Sequence, residues 1–272
     1  MAVERAGTAP VRGFLLDITG VLYNSCHGTD GISIPGSIEA VKRLYAESRV
    51  CFLSNESTNT NENVVARLGR LGFTVRLEDV ITPAPVAAEY IRRNQLRPHV
   101  LVHPGIRSYF TALEQPDSPP NCVVMGDAED EFTYSNVNAA FRVLMKMERP
   151  LLITLGNGKF YQRVDGPAID VGAFAAALKF ATNCEHVIIG KPQEDYFQSA
   201  VNKLGLKREE VLMIGDDIVS DIGGAQSWNI RGVQVRTGKW RPEWEDHPSV
   251  KPFRIVNNLQ EAVDTILNNG HF

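Results

Sequence analysis

Residues 13–23 read GFLLDITGVLY. Three large apolar residues, Phe14, Leu15 and Leu16, run straight into a carboxylate, Asp17, and the apolar character resumes at Val21, Leu22 and Tyr23. A short continuous apolar run is the pattern of a strand buried on both faces, as in a parallel sheet. Ligands of open parallel sheets bind outside the carboxyl ends of the strands. Asp17 therefore stands where a functional group belongs.

Working outward, similar apolar runs recur at 12–17, 49–53, 98–102, 121–125, 151–155, 187–189, 211–215 and 231–235. Segments of helical length separate them. One is SIEAVKRLYAES, with Ile38, Val41, Leu44 and Tyr45 on one face, entered at Pro35-Gly36-Ser37; Gly72 marks a stop after VVARLGRL. Strands alternating with helices predict βαβ units and a Rossmann-like parallel sheet covered on both faces, an α/β fold. TPAPVA at 82–87 and GKPQ at 190–193 punctuate the pattern, and the stretch between them has strand–helix alternation of its own. A second α/β unit inserted into the first explains that arrangement, with the core at 1–82 and 188–272 and a cap at 83–187.

Composition narrows the function classes. The chain has 272 residues, 43% hydrophobic and 22% charged, the proportions of an ordinary globular protein. A net charge of −4 argues against a dedicated nucleic-acid binder. No run reaches the roughly 18 apolar residues of a membrane span. The start, MAVERAGTAP, carries Glu4 and Arg5 without an apolar core and so does not read as a secretory leader. Cys26, Cys51, Cys122 and Cys184 are widely spaced, with no zinc pattern, and read as buried free thiols of a reducing compartment.

Four polar clusters follow apolar strands: Asp17 after GFLL, Ser54-Asn55 after VCFL, Lys191 after VIIG, and Asp216-Asp217 after VLMIG. Singly, each has a structural explanation: an aspartate after a strand caps a helix or forms a turn, and a lysine is usually solvated. Together they supply carboxylates, a hydroxyl, an amide and an ammonium. That set suits holding a phosphoryl group and Mg²⁺ while a carboxylate attacks.

In this order the clusters resemble the motifs of the haloacid dehalogenase-like phosphatases: LLDITGVL, CFLSNES, GKP and GDDIVSD, spanning Asp17 to Asp221. The resemblance implies that Asp17 is the nucleophile and a Mg²⁺ ligand, that Asp216 is the second carboxylate ligand, and that the Thr19 backbone carbonyl completes the protein ligands. It implies catalytic and substrate contacts from Asp17, Ile18, Thr19, Ser54, Asn55 and Lys191. Asp217 and Asp221 would orient water or Lys191 from behind. The long stretch before Lys191 resembles the C2-type caps.

Thr19 departs from the pattern. Most members carry an acid there that protonates the leaving group, and threonine is a poor acid. LLDITGVLY, DVGAFAAALKFA and MIGDDIVSDIGGAQ…VQVRTGKWRP are similar to a branch of the family with Ser or Thr at this place. That likeness implies hydrolysis of inorganic pyrophosphate and of P–N bonds in imidodiphosphate, phosphohistidine and phospholysine, free or on proteins. It also implies a homodimer in the cytoplasm and nucleus. A labile bond needs less help from a general acid, which typically contributes ~10²–10⁴ in rate. A small-molecule phosphomonoesterase and a weakly active binding or scaffolding protein are the alternatives.

Other features divide between functional and structural readings. His27, His99, His103, His186, His247 and His271 show no ligand spacing. SCHGTDG at 25–31 reads equally as a flap or a solvated loop, and LGNGKFYQ at 155–162 as a cap substrate loop or a hairpin turn. Trp240 and Trp244, among Arg236, Lys239 and Arg241, read as a local core edge rather than a contact surface. FAAALKFA at 174–181 suits domain or subunit packing equally.

Overall fold

A computed structural model describes residues 9–269 apart from 27, 116 and 164–165; His27 and His271 lie outside the described residues. A six-stranded sheet runs in the spatial order Arg254–Val256, Arg231–Val235, Val211–Gly215, Gly13–Leu16, Arg49–Leu53, Val80–Ile81. Every neighbouring pair is parallel. The chain leaves the central strand Gly13–Leu16 toward one edge and returns on its other side, so the strand order reverses there. Ligands of doubly wound sheets bind at this kind of reversal.

The apolar run that opens the sequence is central because both its faces are covered. Phe14 and Leu16 pack with Val41, Leu44, Leu68 and Val263 on one side. Leu15 points the other way, against Tyr196, Phe197, Ala200 and Val201 of the helix Glu194–Leu204. Alternation across the pleat repeats in the neighbour, with Val50 and Phe52 on the first side and Cys51 and Leu53 on the second. The helix Ser37–Glu47 buries Ala40, Val41 and Leu44, while Ile38 and Tyr45 pack against its margin.

A second, four-stranded parallel sheet has the order Glu185–Ile188, Leu151–Thr154, Cys122–Met125, Pro98–Leu101. It has its own two-sided core. The helix Pro83–Arg93 covers one face with Ala84, Ala87 and Ile91, and the helices Tyr134–Met145 and Val171–Thr182 cover the other with Ala140, Leu144, Ala175 and Leu178. The hairpin Phe160–Arg163 with Gly166–Ile169 projects from it. LGNGKF therefore leads into the first strand of this hairpin. In the helix Val171–Thr182, Ala175 and Leu178 face the core while Phe180 is 90% exposed.

The α/β reading of the sequence holds. Its strand limits shift by a residue or two, as at Glu185–Ile188 against the expected 187–189. The short strands Val80–Ile81 and Arg254–Val256 had no sequence signal long enough to read. Cys51, Cys122 and Cys184 are buried and unpaired, and Cys26 is half-buried. Among the described residues no helix is long and apolar enough to cross a membrane.

Candidate active site

Parallel register brings the strand ends level. Leu16 lies opposite both Phe52 and Ile214, and the Asp17 amide donates to the Ile214 carbonyl at 3.0 Å. Asp17, Ser54 and Asp216 therefore emerge side by side at one sheet edge. Lys191 arrives from the segment that follows the last strand of the second sheet, and Asn55 fixes that segment. The Asn55 Oδ1 accepts from the Lys191 amide at 2.8 Å, and its Nδ2 donates to the Lys191 carbonyl at 3.0 Å.

The Lys191 ammonium is 2% exposed and sits between two carboxylates, 2.6 Å from Asp17 Oδ1 and 2.7 Å from Asp221 Oδ1. Burial works against its charge, but Asp17 and Asp221 outweigh burial and hold it charged far above neutral pH. Asp221 is also anchored by the Asp217 amide, which donates to Oδ2 at 3.1 Å. Burial nevertheless pushes the Asp221 carboxyl up to about 7, with Lys191 pulling the other way. Burial, then Asp17 and Asp221, push Asp216 well above the ordinary carboxylate range.

Carboxylate oxygens of Asp17, Asp216 and Asp221 lie within 4.8 Å of one another. Asp217 turns away from them. Its Oδ1 accepts from the Val219 and Ser220 amides at 3.0 and 2.9 Å, and its Oδ2 meets the Lys239 ammonium at 3.1 Å. Burial raises Asp217, yet Lys239 and these amides hold it below the usual range. Three clustered carboxylates meet the Lys191 ammonium, and Asp217 beside them meets that of Lys239.

The donors fit a hard divalent cation. They are all oxygen, the set that Mg²⁺ and its relatives prefer. Room is kept at Asp216 by two glycines with left-handed backbones, Gly20 (φ +89°) and Gly238 (φ +59°), where a Cβ would fall 2.2 and 2.0 Å from Asp216 Oδ2. Thr237 ties the first of these loops in place by donating to the Gly20 carbonyl at 2.5 Å.

Each residue expected at the site can now be placed. Asp17, Thr19, Ser54, Asn55, Lys191, Asp216, Asp217 and Asp221 all line one cavity of about 920 Å³. Ile18 differs, since its side chain is 1% exposed in the core and its carbonyl accepts the Leu22 amide at 2.9 Å. Ile18 is not among the residues lining the cavity. Asp217 holds Lys239 rather than Lys191. The phenol of Tyr23, beside Thr19, accepts from Arg67 at 3.1 Å. Ser54 Oγ accepts the Glu56 amide at 3.1 Å.

Two loops that the sequence offered as candidate site segments supply further walls. Ser25, Cys26, Gly28, Thr29 and Asp30 line the cavity, which favours the flap reading of that loop; Arg70 grips Asp30 through two bonds of 2.6 Å. From the part of the chain that carries the second sheet come Gly158 and Tyr161, which favour the substrate-loop reading of 155–162, and three acids that the sequence reading missed, Asp127, Glu129 and Asp170. No sequence signal marks the acids, because they meet only through tertiary packing. Lys239 did carry a signal, since it follows the strand Arg231–Val235 by a short Gly-containing turn, as the other site residues follow theirs.

A haloacid dehalogenase-like hydrolase model matches residues 14–114, and a HAD-hydrolase-like model matches 188–262. The chain belongs to the haloacid dehalogenase-like hydrolase family and is a phosphoric-group hydrolase. Phospholysine phosphohistidine inorganic pyrophosphate phosphatase from Bos taurus is 47% identical over 271 residues, 99% of both chains. Among solved structures, a 4-nitrophenylphosphatase from Thermotoga maritima superposes with a TM-score of 0.83 at 26% identity, covering 94% of this chain and 97% of that one. A glycerol phosphate phosphatase from Mycobacterium tuberculosis, solved with magnesium, shares the fold with a TM-score of 0.77 at 22% identity, covering 92% and 76%. Phosphatases of this family generally use a divalent metal.

The wall acids generate a prediction about stability. Asp127 is 7% exposed, and burial, aided by Asp170 and Glu129, pushes its carboxyl up to about 6. An unfolded aspartate titrates near 3.9. The folded state thus binds this proton more tightly, and the stability it gives is full below about pH 4 and lost as pH rises through about 6. Asp127→Asn, which stays neutral, should gain on the wild type across that window, by at most about 3 kcal/mol. Urea denaturation at pH 4, 5, 6 and 7 checks this; a gap that does not change with pH contradicts it.

Proposed function

We propose that this protein is a Mg²⁺-dependent hydrolase of inorganic pyrophosphate and of P–N bonds such as those of phosphohistidine, phospholysine and imidodiphosphate. The observation that carries the reading is the Asp17 carboxylate, held at the end of the central strand by the buried Lys191, with Asp216 and Asp221 within 4.8 Å. The substrate class comes from the named relative, similar over 99% of the chain.

In this reading an Asp17 oxygen attacks phosphorus. The P–O or P–N bond breaks, and its electron pair leaves with the phosphate or amine. Water then attacks the phosphorus of the aspartyl-phosphate, freeing phosphate and restoring the carboxylate. Lys191, touching the nucleophile, offsets the charge of the incoming phosphoryl oxygens. The Ser54 hydroxyl, which accepts from the Glu56 amide, has its own proton to donate toward those oxygens. Asp17 and Asp216 would hold the metal, with the Thr19 carbonyl, and the ion would supply positive charge at the transferring group. Residues 83–187 act as the cap that roofs the cavity. The homodimer and the cytoplasmic location rest on the family resemblance alone.

Asp17→Asn should abolish turnover and leave the fold intact, because an amide cannot replace an attacking carboxylate. Phosphate release and circular dichroism, measured together, decide; retention of more than about a tenth of the wild-type rate sinks the assignment.

Chelation should remove activity and added Mg²⁺ restore it. In Asp216→Ala the half-saturating Mg²⁺ concentration should rise by about tenfold or more, since one of few carboxylate ligands is gone. An unchanged Mg²⁺ titration removes Asp216 from the ligand set.

Thr19→Asp tests why substrates with labile bonds are preferred. A carboxyl group at this place can protonate an alkoxide leaving group. The dependence of kcat/KM on leaving-group basicity should become shallower than in the wild type, even if the added negative charge lowers all rates. Equal slopes, with Mg²⁺ binding intact, would assign substrate choice to the cap instead.

A further inference from the structure

Three fixed cationic side chains line the cavity among the described residues: Lys191, Arg67 and Lys239. Their surroundings differ. Lys191 spends two of its three N–H donors on Asp17 and Asp221, at the nucleophile itself, and serves the phosphoryl group there. Arg67 donates to Tyr23 and faces the Glu56 carboxylate at 3.8 Å. Among the described residues the Lys239 ammonium has a single hydrogen-bond partner, Asp217 Oδ2 at 3.1 Å, and its side chain is 23% exposed. An ammonium carries three N–H donors. Lys239 therefore has two donors to offer the cavity, against one at Lys191.

Lys239 is also held firmly. Its backbone amide donates to Asp216 Oδ2 at 2.7 Å, placing the residue beside the acidic cluster. The Asp217 carboxylate that grips its ammonium is itself fixed by the amides of Val219 and Ser220. Asp217, then Asp216 and, from the second sheet, Asp170 outweigh burial and keep the ammonium charged.

A leaving phosphate carries negative charge into the cavity, whereas a leaving amine or imidazole does not. Resting on the pyrophosphate and P–N reading above, we propose that Lys239 is the specificity residue for the leaving phosphate. Its ammonium hydrogen-bonds the phosphate that leaves when Asp17 attacks pyrophosphate, and it makes no corresponding bond to the amine, imidazole or ammonia leaving from phospholysine, phosphohistidine or phosphoramidate. The cavity thus separates two tasks, Lys191 for the phosphoryl group transferred and Lys239 for the phosphate released.

The test compares Lys239→Met and Lys239→Arg with wild type on pyrophosphate and on phosphoramidate, which carry anionic and neutral leaving groups. Lys239→Met should lower kcat/KM for pyrophosphate by about 10- to 100-fold, the range of a lost charge-assisted hydrogen bond, and change phosphoramidate by less than about threefold. Lys239→Arg should recover most of the pyrophosphate activity. Binding of methylenediphosphonate should weaken in Lys239→Met while orthophosphate binding holds. Because Lys239→Met strands the buried Asp217 charge, the double variant Lys239→Met/Asp217→Asn is run beside it and should show the same selectivity. Equal losses on both substrates, or none on pyrophosphate, in the folded double variant overturn the proposal. If wild type hydrolyses neither substrate, the functional reading itself has failed; if it hydrolyses both and the ratio does not move, only the role of Lys239 has.

Discussion

The buried ammonium of Lys191 is the constraint on which the site depends. A charge so far from water is tolerable only when opposite charges meet it at close range with good geometry. Asp17 and Asp221 do so at 2.6 and 2.7 Å. The partners come from distant parts of the chain: the central strand, the turn after Val211–Gly215, and the segment leaving the second sheet. Joining them fixes how the second sheet is connected to the first. The two Asn55 bonds to the Lys191 backbone complete that junction.

The junction also explains the glycines around it. At Gly215 a Cβ would lie 2.2 Å from Asp221 Oδ2, and at Gly190 one would lie 2.7 Å from Asn55 Oδ1. The backbone approaches the polar groups more closely than any side chain permits, as expected where glycine stands beside a ligand site. At both places the chain gives up local stability, since glycine loses the most freedom on folding, and gains a tight acidic cradle.

Much of this was legible from residue order. Asp17, Ser54, Lys191 and Asp216 each follow an apolar run, and a parallel register levels such positions at one edge. The α/β class followed from the same alternation. The strands of two and three residues were not legible, because periodicity needs more positions than they have. Nor were Asp127 and Asp170, which reach the cavity only when the second sheet packs over the first. Lys239 was read as part of a Trp-flanked edge, although it obeys the rule that found the others. Its neighbours in sequence drew attention to packing, while its function lies with Asp217, 22 residues earlier. Ile18 shows the converse, a residue inside a catalytic motif whose side chain belongs to the core.

The charge balance bears on why position 19 carries a hydroxyl. Asp17, Asp216 and Asp221 already crowd within 4.8 Å, and two of them have carboxyls pushed upward by burial and by one another. A further carboxyl beside them would be driven toward its neutral form by the same forces, which is the state a general acid needs. The electrostatics therefore do not forbid an acid at this position. Beside Thr19 stands Tyr23, whose phenol burial and then Glu56 hold above its usual range while Arg67 donates to it. A phenol so placed keeps its proton at neutral pH, and a threonine does the same. The side chains nearest the nucleophile on this flank thus fix geometry without giving up a proton. A site built this way favours leaving groups that depart without one, or that take it from solvent beforehand.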